Sequence, residues 1–184
     1  MQNTNIDFTK RKFKKFGGEI IENIVEYLKP LVNKGDDMRI IVGCDSQQKR
    51  SYTLYALVIV LYDQGLHNGA HIVFMRIKDK KEKSLVNRLM NESLYSLDLA
   101  EYLNNELNDF YNMPKFGKCK YNDTTPSKKI EIHVDVNPQE GNNKQNKSNV
   151  VYNSIMGMVS SYGFMVKCKP DAFGASCAAD LLCK

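Results

Sequence analysis

Arg39-Ile40-Ile41-Val42-Gly43-Cys44-Asp45-Ser46-Gln47 is the stretch from which the fold can be worked out. Its three consecutive β-branched apolar residues show no helical period and predict a buried strand. Gly43 follows them at once, and a carboxylate, Asp45, comes two residues later. We therefore expect the strand to deliver Asp45 to an edge of the sheet. An aspartate in this position also commonly opens a turn, so the rest of the chain has to decide between the two interpretations.

Length and composition predict one globular domain that needs no disulfides or structural metals. The 184 residues are 42% apolar and 26% charged, which are ordinary values for a domain of this size. The net charge of +5 permits a polyanionic partner but does not require one. The five cysteines show no CxxC or Cys/His metal spacing, so we expect reduced thiols in a cytoplasmic protein. No apolar run approaches the ~18 residues of a membrane span, so no membrane partner is expected.

The N-terminal part of the chain predicts a basic arm followed by a helix. Residues 1–16 are polar, and such a charged run is more often a solvated surface than a binding site. If the run is instead a binding site, we expect it to contact nucleic-acid phosphates. Apolar residues then recur at helical spacing between Gly17-Gly18 and Pro30, which predicts an amphipathic helix. The densest positive charge of the arm is at Lys10, Arg11, Lys12, Lys14 and Lys15.

Two more strands and a long helix are predicted after the first strand. The segments 52–62 and 70–77 are rich in β-branched and aromatic residues and are joined by turn residues, so they complete an antiparallel meander. The long helix covers residues 84–110, and Glu92 interrupts a stripe of leucines on one of its faces. An unpaired buried carboxylate costs several kcal/mol, so an inward Glu92 would need a partner or a function. The same helix has a second apolar stripe. If that stripe faced the core instead, Glu92 would lie at the rim of the buried helix face, and both alternatives stay open.

The second half of the chain alternates between strands and helices. Alternating side chains predict a half-buried strand over 129–136, which carries Asp135 near its end. A short strand over 164–168 is followed by Asp171. The remaining predicted segments are an irregular loop over 112–128, an Asn-rich loop over 137–149, a helix that ends at Gly163 and a final helix over 172–182.

This order of elements predicts an α/β fold with a mixed five-stranded sheet flanked by helices. A three-stranded antiparallel meander is joined by two parallel strands, in one domain over residues 17–184. The order resembles that of the ribonuclease H fold, with an extra N-terminal helix. In ribonuclease H-like nucleases, carboxylates at the corresponding places bind metal ions. The resemblance therefore implies that Asp45, Glu92, Asp135 and Asp171 are metal-binding residues.

Several short motifs also resemble those of the YkuK-type ribonuclease H-like proteins. Gly43-Cys44-Asp45-Ser46-Gln47 is similar to the Gly-Thr-Asp-Ser-Gln of that family, with a cysteine in place of the threonine. Asn137 stands where the family usually has a glycine. The resemblance covers roughly residues 37–181. Its other motifs are Arg88, Glu92, Ser96 and Leu99-Ala100 on the long helix, His133-Val134-Asp135, Gly157-Met158-Val159, Gly163-Phe164, Lys169-Pro170-Asp171 and Ala175-Ser176-Cys177-Ala178-Ala179-Asp180.

The resemblance implies a nuclease that hydrolyses phosphodiesters with two divalent ions, Mg²⁺ or Mn²⁺. Asp45 would bridge the two ions, Glu92 and Asp135 would complete one coordination sphere, and Asp171 would help to hold the other. His133 lies two residues before Asp135 and could donate a hydrogen bond or transfer a proton, although a simply packed histidine is the alternative.

DNA or RNA is the partner that this interpretation expects. Ser46, Gln47 and Lys169 would contact the sugar-phosphate backbone, together with the basic arm. Because fold does not determine function, the alternative is a non-catalytic structural subunit of a homo-oligomer or large assembly. Such a subunit could be a ring or connector protein of a phage virion, which would place the protein in a virion instead of the cytoplasm. A third alternative is non-catalytic nucleic-acid binding through the basic arm.

Overall fold

The computed structural model describes residues 6–32, 38–63, 69–111, 130–138 and 149–184. Its elements form a mixed sheet with helices on both faces. A single 3₁₀ turn at Phe8–Lys10 precedes the first strand, and a π-helical segment at Gly174–Ala179 leads into the last helix. In chain order the strands and α-helices are β1 (Phe13–Lys15), β2 (Ile20–Ile21), α1 (Ile24–Val32), β3 (Met38–Gln48), β4 (Tyr52–Asp63), β5 (Ala70–Lys80), α2 (Leu85–Tyr111), β6 (Ile130–His133), α3 (Asn149–Ser161), β7 (Met165–Lys167) and α4 (Asp180–Cys183).

The sheet contains the predicted meander and the two predicted parallel strands. Strands β3, β4 and β5 pair antiparallel in sequence order, β6 pairs parallel with β3, and β7 pairs parallel with β6. The mixed α/β architecture predicted from the sequence is therefore confirmed. The strand count differs, because the described sheet has seven strands in the order β2-β1-β5-β4-β3-β6-β7 instead of five.

The two additional strands come from the segment that was expected to form a basic arm and the start of a helix. Strand β1 pairs antiparallel with β5, and Phe13 on β1 is fully buried in the core. Gly18 adopts a φ of 90° in the turn between β1 and β2, a conformation that glycine adopts without strain. Helix α1 begins only after Asn23, whose side-chain oxygen accepts hydrogen bonds from the first turn of the helix. Residues 13–15 of the expected arm are thus part of the sheet, and Pro30 lies inside α1 instead of ending it.

Strand β6 is shorter than predicted, which affects the position of Asp135. The strand ends at His133, and Asp135 lies two residues beyond it.

Both predicted loops fall largely outside the described residues: 112–128 does so completely, and 137–149 does so apart from positions 137, 138 and 149.

The two faces of the sheet have different cores. The helix face packs against α1, α2 and α3, and the leucine stripe of α2 at Leu99, Leu103 and Leu107 is fully buried there. The opposite face, which we call the C-terminal face, is covered by residues 174–183. Because side chains alternate along a strand, Ser46 lies on the side of β3 that faces α2, whereas Asp45 lies on the same side as Ile41, which is the C-terminal face.

Among the described helices, none is both long enough and apolar enough to cross a bilayer.

The burial of β1 leads to a stability prediction. Phe13→Ala should lower the free energy of unfolding by about 3 kcal/mol, because it removes a fully buried aromatic side chain. Urea unfolding followed by circular dichroism measures the change. Phe16→Ala is the matched control, because Phe16 is 50% exposed and its truncation should change stability by about 0.5 kcal/mol or less. Equal stabilities for the two variants would show that residues 13–15 do not belong to the folded sheet.

Candidate carboxylate centre

Asp45 and Asp135 are brought to the same end of the sheet by two neighbouring parallel strands. In the register of β3 with β6, Gly43 lies opposite His133. Asp45 and Asp135 each follow two residues later, so the parallel direction of the strands carries both carboxylates to one edge. The negative charge of Asp135 acts directly on the titration of Asp45. This part of the geometry agrees with the expectation from the sequence.

Glu92 joins this edge from helix α2. Its side chain is buried, and its Oε1 accepts a hydrogen bond of 2.5 Å from the Ser46 hydroxyl. The inward orientation of Glu92, which the sequence left undecided, is therefore the one observed. Ser46 was expected to contact a nucleic-acid backbone, but here it holds Glu92 in place.

The pKa of Asp45 is raised from 3.8 to about 6. Burial is the largest cause, because it disfavours the charged form. The backbone N–H of Ser46 opposes this effect, and the charges of Asp135 and Asp180 raise the pKa further. The cation of Arg88 lowers it slightly. Asp45 therefore titrates close to neutral pH.

The pKa of Glu92 is raised from 4.5 to about 8. Burial again dominates, and the hydrogen bond from Ser46 only partly offsets it. The charge of Asp45 raises the pKa of Glu92, the cation of Arg88 lowers it, and the charge of Asp135 raises it. Glu92 is consequently mostly protonated at neutral pH. A cation bound beside these residues would favour the ionised form of all three carboxylates.

The fourth carboxylate at this edge is Asp180, not Asp171. Asp180 begins α4, and its charge contributes to the raised pKa of Asp45. Asp171 is exposed and lines a cavity on the C-terminal face together with Glu131 and His133. The sequence offered a signal for Asp180, since it ends the closing motif that resembles the YkuK-type proteins. The strand-end position of Asp171 was the more obvious pattern, and the structure places that side chain at the cavity on the C-terminal face.

Three basic residues surround the centre. Lys169 Nζ lies 2.5 Å from Asp135 Oδ1, so the lysine expected to contact substrate is already paired with a carboxylate. Lys184 Nζ lies 2.7 Å from Asp180 Oδ2. The charge of Arg88 acts on both Asp45 and Glu92, and its buried Nε has no hydrogen-bond partner among the described residues. Because its charge acts on two of the carboxylates, Arg88 belongs to the centre, although the sequence interpretation gave it no role.

Gln47 and His133 have partners outside the centre. The Gln47 side-chain oxygen accepts a hydrogen bond from the Lys49 ammonium. His133 is buried on β6, and its Nδ1 accepts a hydrogen bond of 3.1 Å from the Gly174 backbone N–H. Its Nε2 lies 3.5 Å from Glu131 Oε2. Both ring nitrogens therefore face Gly174 and Glu131, as for a packed histidine, although the ring also borders the crevice between Glu92 and Asp135.

The basic cluster of the N-terminal segment lies away from the carboxylates. Strands β5 and β4 separate β1 from β3, which corresponds to about 14 Å at the usual spacing between strands. Arg11 is exposed, and Lys14 is a β1 residue with an exposed side chain. Three of the other cations have acidic partners: Lys10 with Asp7, Lys12 with Glu22 and Lys15 with Glu19.

The donor atoms of the centre suit a hard divalent cation, since all four acidic residues offer carboxylate oxygens. Within the ranges that the structure describes, no three His, Cys, Asp or Glu side chains lie close enough together to hold one metal ion. The pairing of Lys169 with Asp135 and of Ser46 with Glu92 occupies oxygens that such an ion would need. The carboxylate oxygens are of the type that Mg²⁺ or Mn²⁺ prefers, but binding would require these contacts to be exchanged for metal contacts and the carboxylates to move closer together.

A protein-family model described as ribonuclease H-like matches residues 19–184. The chain belongs to the ribonuclease H-like family. The match includes all four carboxylates of the centre and agrees with the family expected from the sequence motifs. No curated protein and no solved structure matches this ribonuclease H-like chain.

The raised pKa of Glu92 predicts that stability falls as the pH rises. Between 4.5 and about 8 the folded protein binds more protons at Glu92 than the unfolded chain does. The free energy of unfolding therefore decreases through this range, and Asp45 contributes with the same sign between 3.8 and about 6. Urea unfolding at about pH 5 and about pH 9 should show a clear loss of stability for the wild type and a smaller loss for Glu92→Gln.

A suitable control for this experiment is Glu106→Gln, which changes an exposed glutamate on the same helix. This variant should keep the pH dependence of the wild type. If Glu92→Gln and Glu106→Gln gave the same dependence, Glu92 would have an ordinary pKa and would not be coupled to Asp45.

Proposed function

We propose that this ribonuclease H-like protein is a metal-dependent nuclease that hydrolyses phosphodiester bonds in DNA or RNA. The observation that carries the proposal is geometric: the register of β3 with β6 brings Asp45 and Asp135 to one edge of the sheet, and Glu92 of α2 reaches the same edge through its hydrogen bond with Ser46. Membership of the ribonuclease H-like family supports an association with nucleic acid. A buried group of like charges is costly unless a cation or a reaction makes use of it.

In this proposal Asp45, Glu92, Asp135 and Asp180 hold the divalent cations, and Asp180 takes the role that the sequence suggested for Asp171. Bound Mg²⁺ or Mn²⁺ would activate the attacking water and stabilise the leaving oxygen. Lys169, once released from Asp135, would donate hydrogen bonds to a phosphate of the substrate.

Ser46 and Arg88 position the carboxylates in this proposal. Ser46 fixes one oxygen of Glu92 through its hydroxyl, which leaves the other oxygen for a cation. The Arg88 guanidinium lowers the pKa of both Asp45 and Glu92 and so favours the ionised forms that a metal requires. His133 has no assigned role in this proposal, because its ring nitrogens face Gly174 and Glu131.

Cleavage assays with labelled DNA, RNA and hybrid duplexes, in Mg²⁺, Mn²⁺ or chelator, test the proposal. Asp45→Asn should reduce metal-dependent cleavage by about a hundredfold or more, since it removes the central carboxylate. Asp180→Asn should reduce cleavage at least tenfold more than Asp171→Asn does. Asp7→Asn, which removes an exposed carboxylate near the N-terminus, should leave cleavage unchanged.

Two outcomes would contradict these assignments. No cleavage of any substrate in either metal would refute the nuclease proposal. A larger loss for Asp171→Asn than for Asp180→Asn would return the fourth position to Asp171.

Metal binding should also stabilise the fold. Mg²⁺ or Mn²⁺ at about a hundred times its dissociation constant would contribute about 2.7 kcal/mol, which corresponds to a rise in melting temperature of roughly 5–10 °C. Differential scanning fluorimetry measures the shift. Asp45→Asn should lose most of it, because a carboxylate that would hold the cation is gone, whereas Asp7→Asn should keep it. A melting temperature that does not respond to either metal would contradict the proposed cation site.

The second candidate function is a non-catalytic structural subunit that keeps the fold. The observation in its favour is that Lys169 already neutralises Asp135 and that burial keeps Glu92 protonated, so the centre is self-sufficient without a metal. Absence of both cleavage and a metal-induced shift would favour this candidate. Light scattering would then test whether the protein forms the homo-oligomer that a ring or connector requires.

A further inference from the structure

One half of the C-terminal face carries a row of exposed basic side chains. Residues 174–183 cover this face where they pack on β3 and β4. On β5, Arg76, Lys78 and Lys80 alternate along the strand, and all three are exposed. Alternate residues of a strand share one face and lie about 7 Å apart, so these side chains form a regular row of positive charge.

The contacts of this row show which face of the sheet it lies on. Arg76 Nε donates a hydrogen bond of 2.8 Å to the Leu182 carbonyl oxygen of α4. The Arg76 guanidinium also lies 5.5 Å from the centre of the Phe74 ring, which belongs to the core of the C-terminal face. The Lys78 ammonium lies 5.3 Å from the centre of the Tyr52 ring. The row is therefore on the same face as α4.

An aromatic and an apolar side chain continue this surface beside the row. Phe16 follows β1 and is 50% exposed, and the centres of its ring and the Phe74 ring are 6.4 Å apart. Lys14 lies opposite Phe74 in the register of β1 with β5 and opposite Ile20 in that of β1 with β2, so all three share one face. Ile20 is also 50% exposed. We call this set the β5 surface: Lys14, Phe16, Ile20, Arg76, Lys78 and Lys80.

The acidic residues near these strands do not neutralise the β5 surface. Asp79 turns to the helix face, where its Oδ2 accepts a hydrogen bond of 2.9 Å from the Tyr95 hydroxyl. Glu82 Oε1 accepts a hydrogen bond of 2.7 Å from the Ser84 backbone N–H, just before α2. The glutamates on either side of β2 are paired with lysines outside the surface. Among the described residues, none forms an ion pair with the four basic members of the β5 surface.

We propose that the β5 surface binds single-stranded nucleic acid, with phosphates along the row of cations and an unpaired base against Phe16. Charge complementarity favours a polyanion as the occupant. A second copy of the chain, related by a two-fold axis, would bring the same cations face to face and be repelled. An exposed aromatic ring beside cations is the usual means of holding a single strand, whereas the paired bases of a duplex are not available to the Phe16 ring.

The β5 surface lies near the carboxylate centre. In the two strand registers Arg76 lies opposite Ala56, and Ala56 lies opposite Asp45. Two strand spacings therefore separate Arg76 from Asp45, which corresponds to about 10 Å. The surface is thus close enough to hold part of a substrate whose cleaved bond is at the centre. Only this link rests on the proposed nuclease function, since binding to the β5 surface needs no metal.

Fluorescence anisotropy of the full chain with a labelled single-stranded DNA of about 16 nucleotides, in EDTA, tests the proposal without metal. The wild type should bind with saturation and more tightly than it binds the duplex of the same sequence. The double variant Lys78→Gln/Lys80→Gln should weaken binding about tenfold at about 0.1 M salt. It should also reduce the slope of log affinity against log salt concentration by about 1.4, because two phosphate contacts are lost.

Phe16→Leu separates the aromatic contribution from the charge. It should weaken binding of the single strand about five- to tenfold and leave the salt slope unchanged, since it removes the ring but no charge. The matched controls change residues away from the β5 surface. Lys10→Gln/Lys29→Gln removes the same amount of charge, and Tyr162→Leu removes an aromatic ring that is 42% exposed. Both controls should bind like the wild type.

The proposal is overturned if the wild type shows no saturable binding of the single strand, if the duplex binds as tightly, or if the test variants bind as tightly as their controls. In the last case the lysines would only protect β5 from pairing with other strands. Binding to phosphatidylserine vesicles without binding to the oligonucleotide would also overturn it, in favour of a membrane surface.

A comparison with cleavage separates this proposal from the nuclease function. Metal-dependent cleavage of single strands that Lys78→Gln/Lys80→Gln leaves unchanged would refute the β5 surface as the place where the substrate is held. Binding that responds to the β5 variants, without cleavage in Mg²⁺ or Mn²⁺, would support the surface and refute the nuclease function alone.

Discussion

The parallel pairing of β6 with β3 is the constraint on which the carboxylate centre depends. It fixes the register in which Gly43 faces His133 and thereby carries Asp45 and Asp135 to one edge of the sheet. The same pairing places Glu131 and His133 on the C-terminal face, so the cavity there is built by the strands that also build the centre. A shift by one residue would turn these side chains to the opposite face.

The two acidic regions of the ribonuclease H-like protein illustrate opposite solutions to the burial of charge. Glu131 is surrounded by Arg39, Lys167 and His133 and stays ionised with a pKa of about 2. Glu92 lies among other carboxylates, has Ser46 as its hydrogen-bond donor and is protonated up to about pH 8. The first arrangement already holds its own counter-ions, while the second gains most from an added cation. This contrast is the physical reason for proposing a cation at the second region and not at the first.

The sequence predicted what periodicity and strand ends can reveal. Asp45 was found because a β-branched run precedes it, and Glu92 because it interrupts a leucine stripe. Strands β1 and β2 were missed because three and two residues are too short to show a period of two. Glu131 was missed because its partner Arg39 lies 92 residues earlier in the chain and only the sheet brings them together. Asp180 was missed because the small residues before it gave no face on which to place it.

A carbon-13 NMR titration of the Asp45 and Glu92 carboxyl groups, in metal-free wild-type protein and in Asp135→Asn, tests the coupling most directly. The account predicts midpoints of about 6 for Asp45 and about 8 for Glu92, both of which fall when the charge of Asp135 is removed. Midpoints near the ordinary values of 3.8 and 4.5, with no response to Asp135→Asn, would show that these side chains do not form one centre.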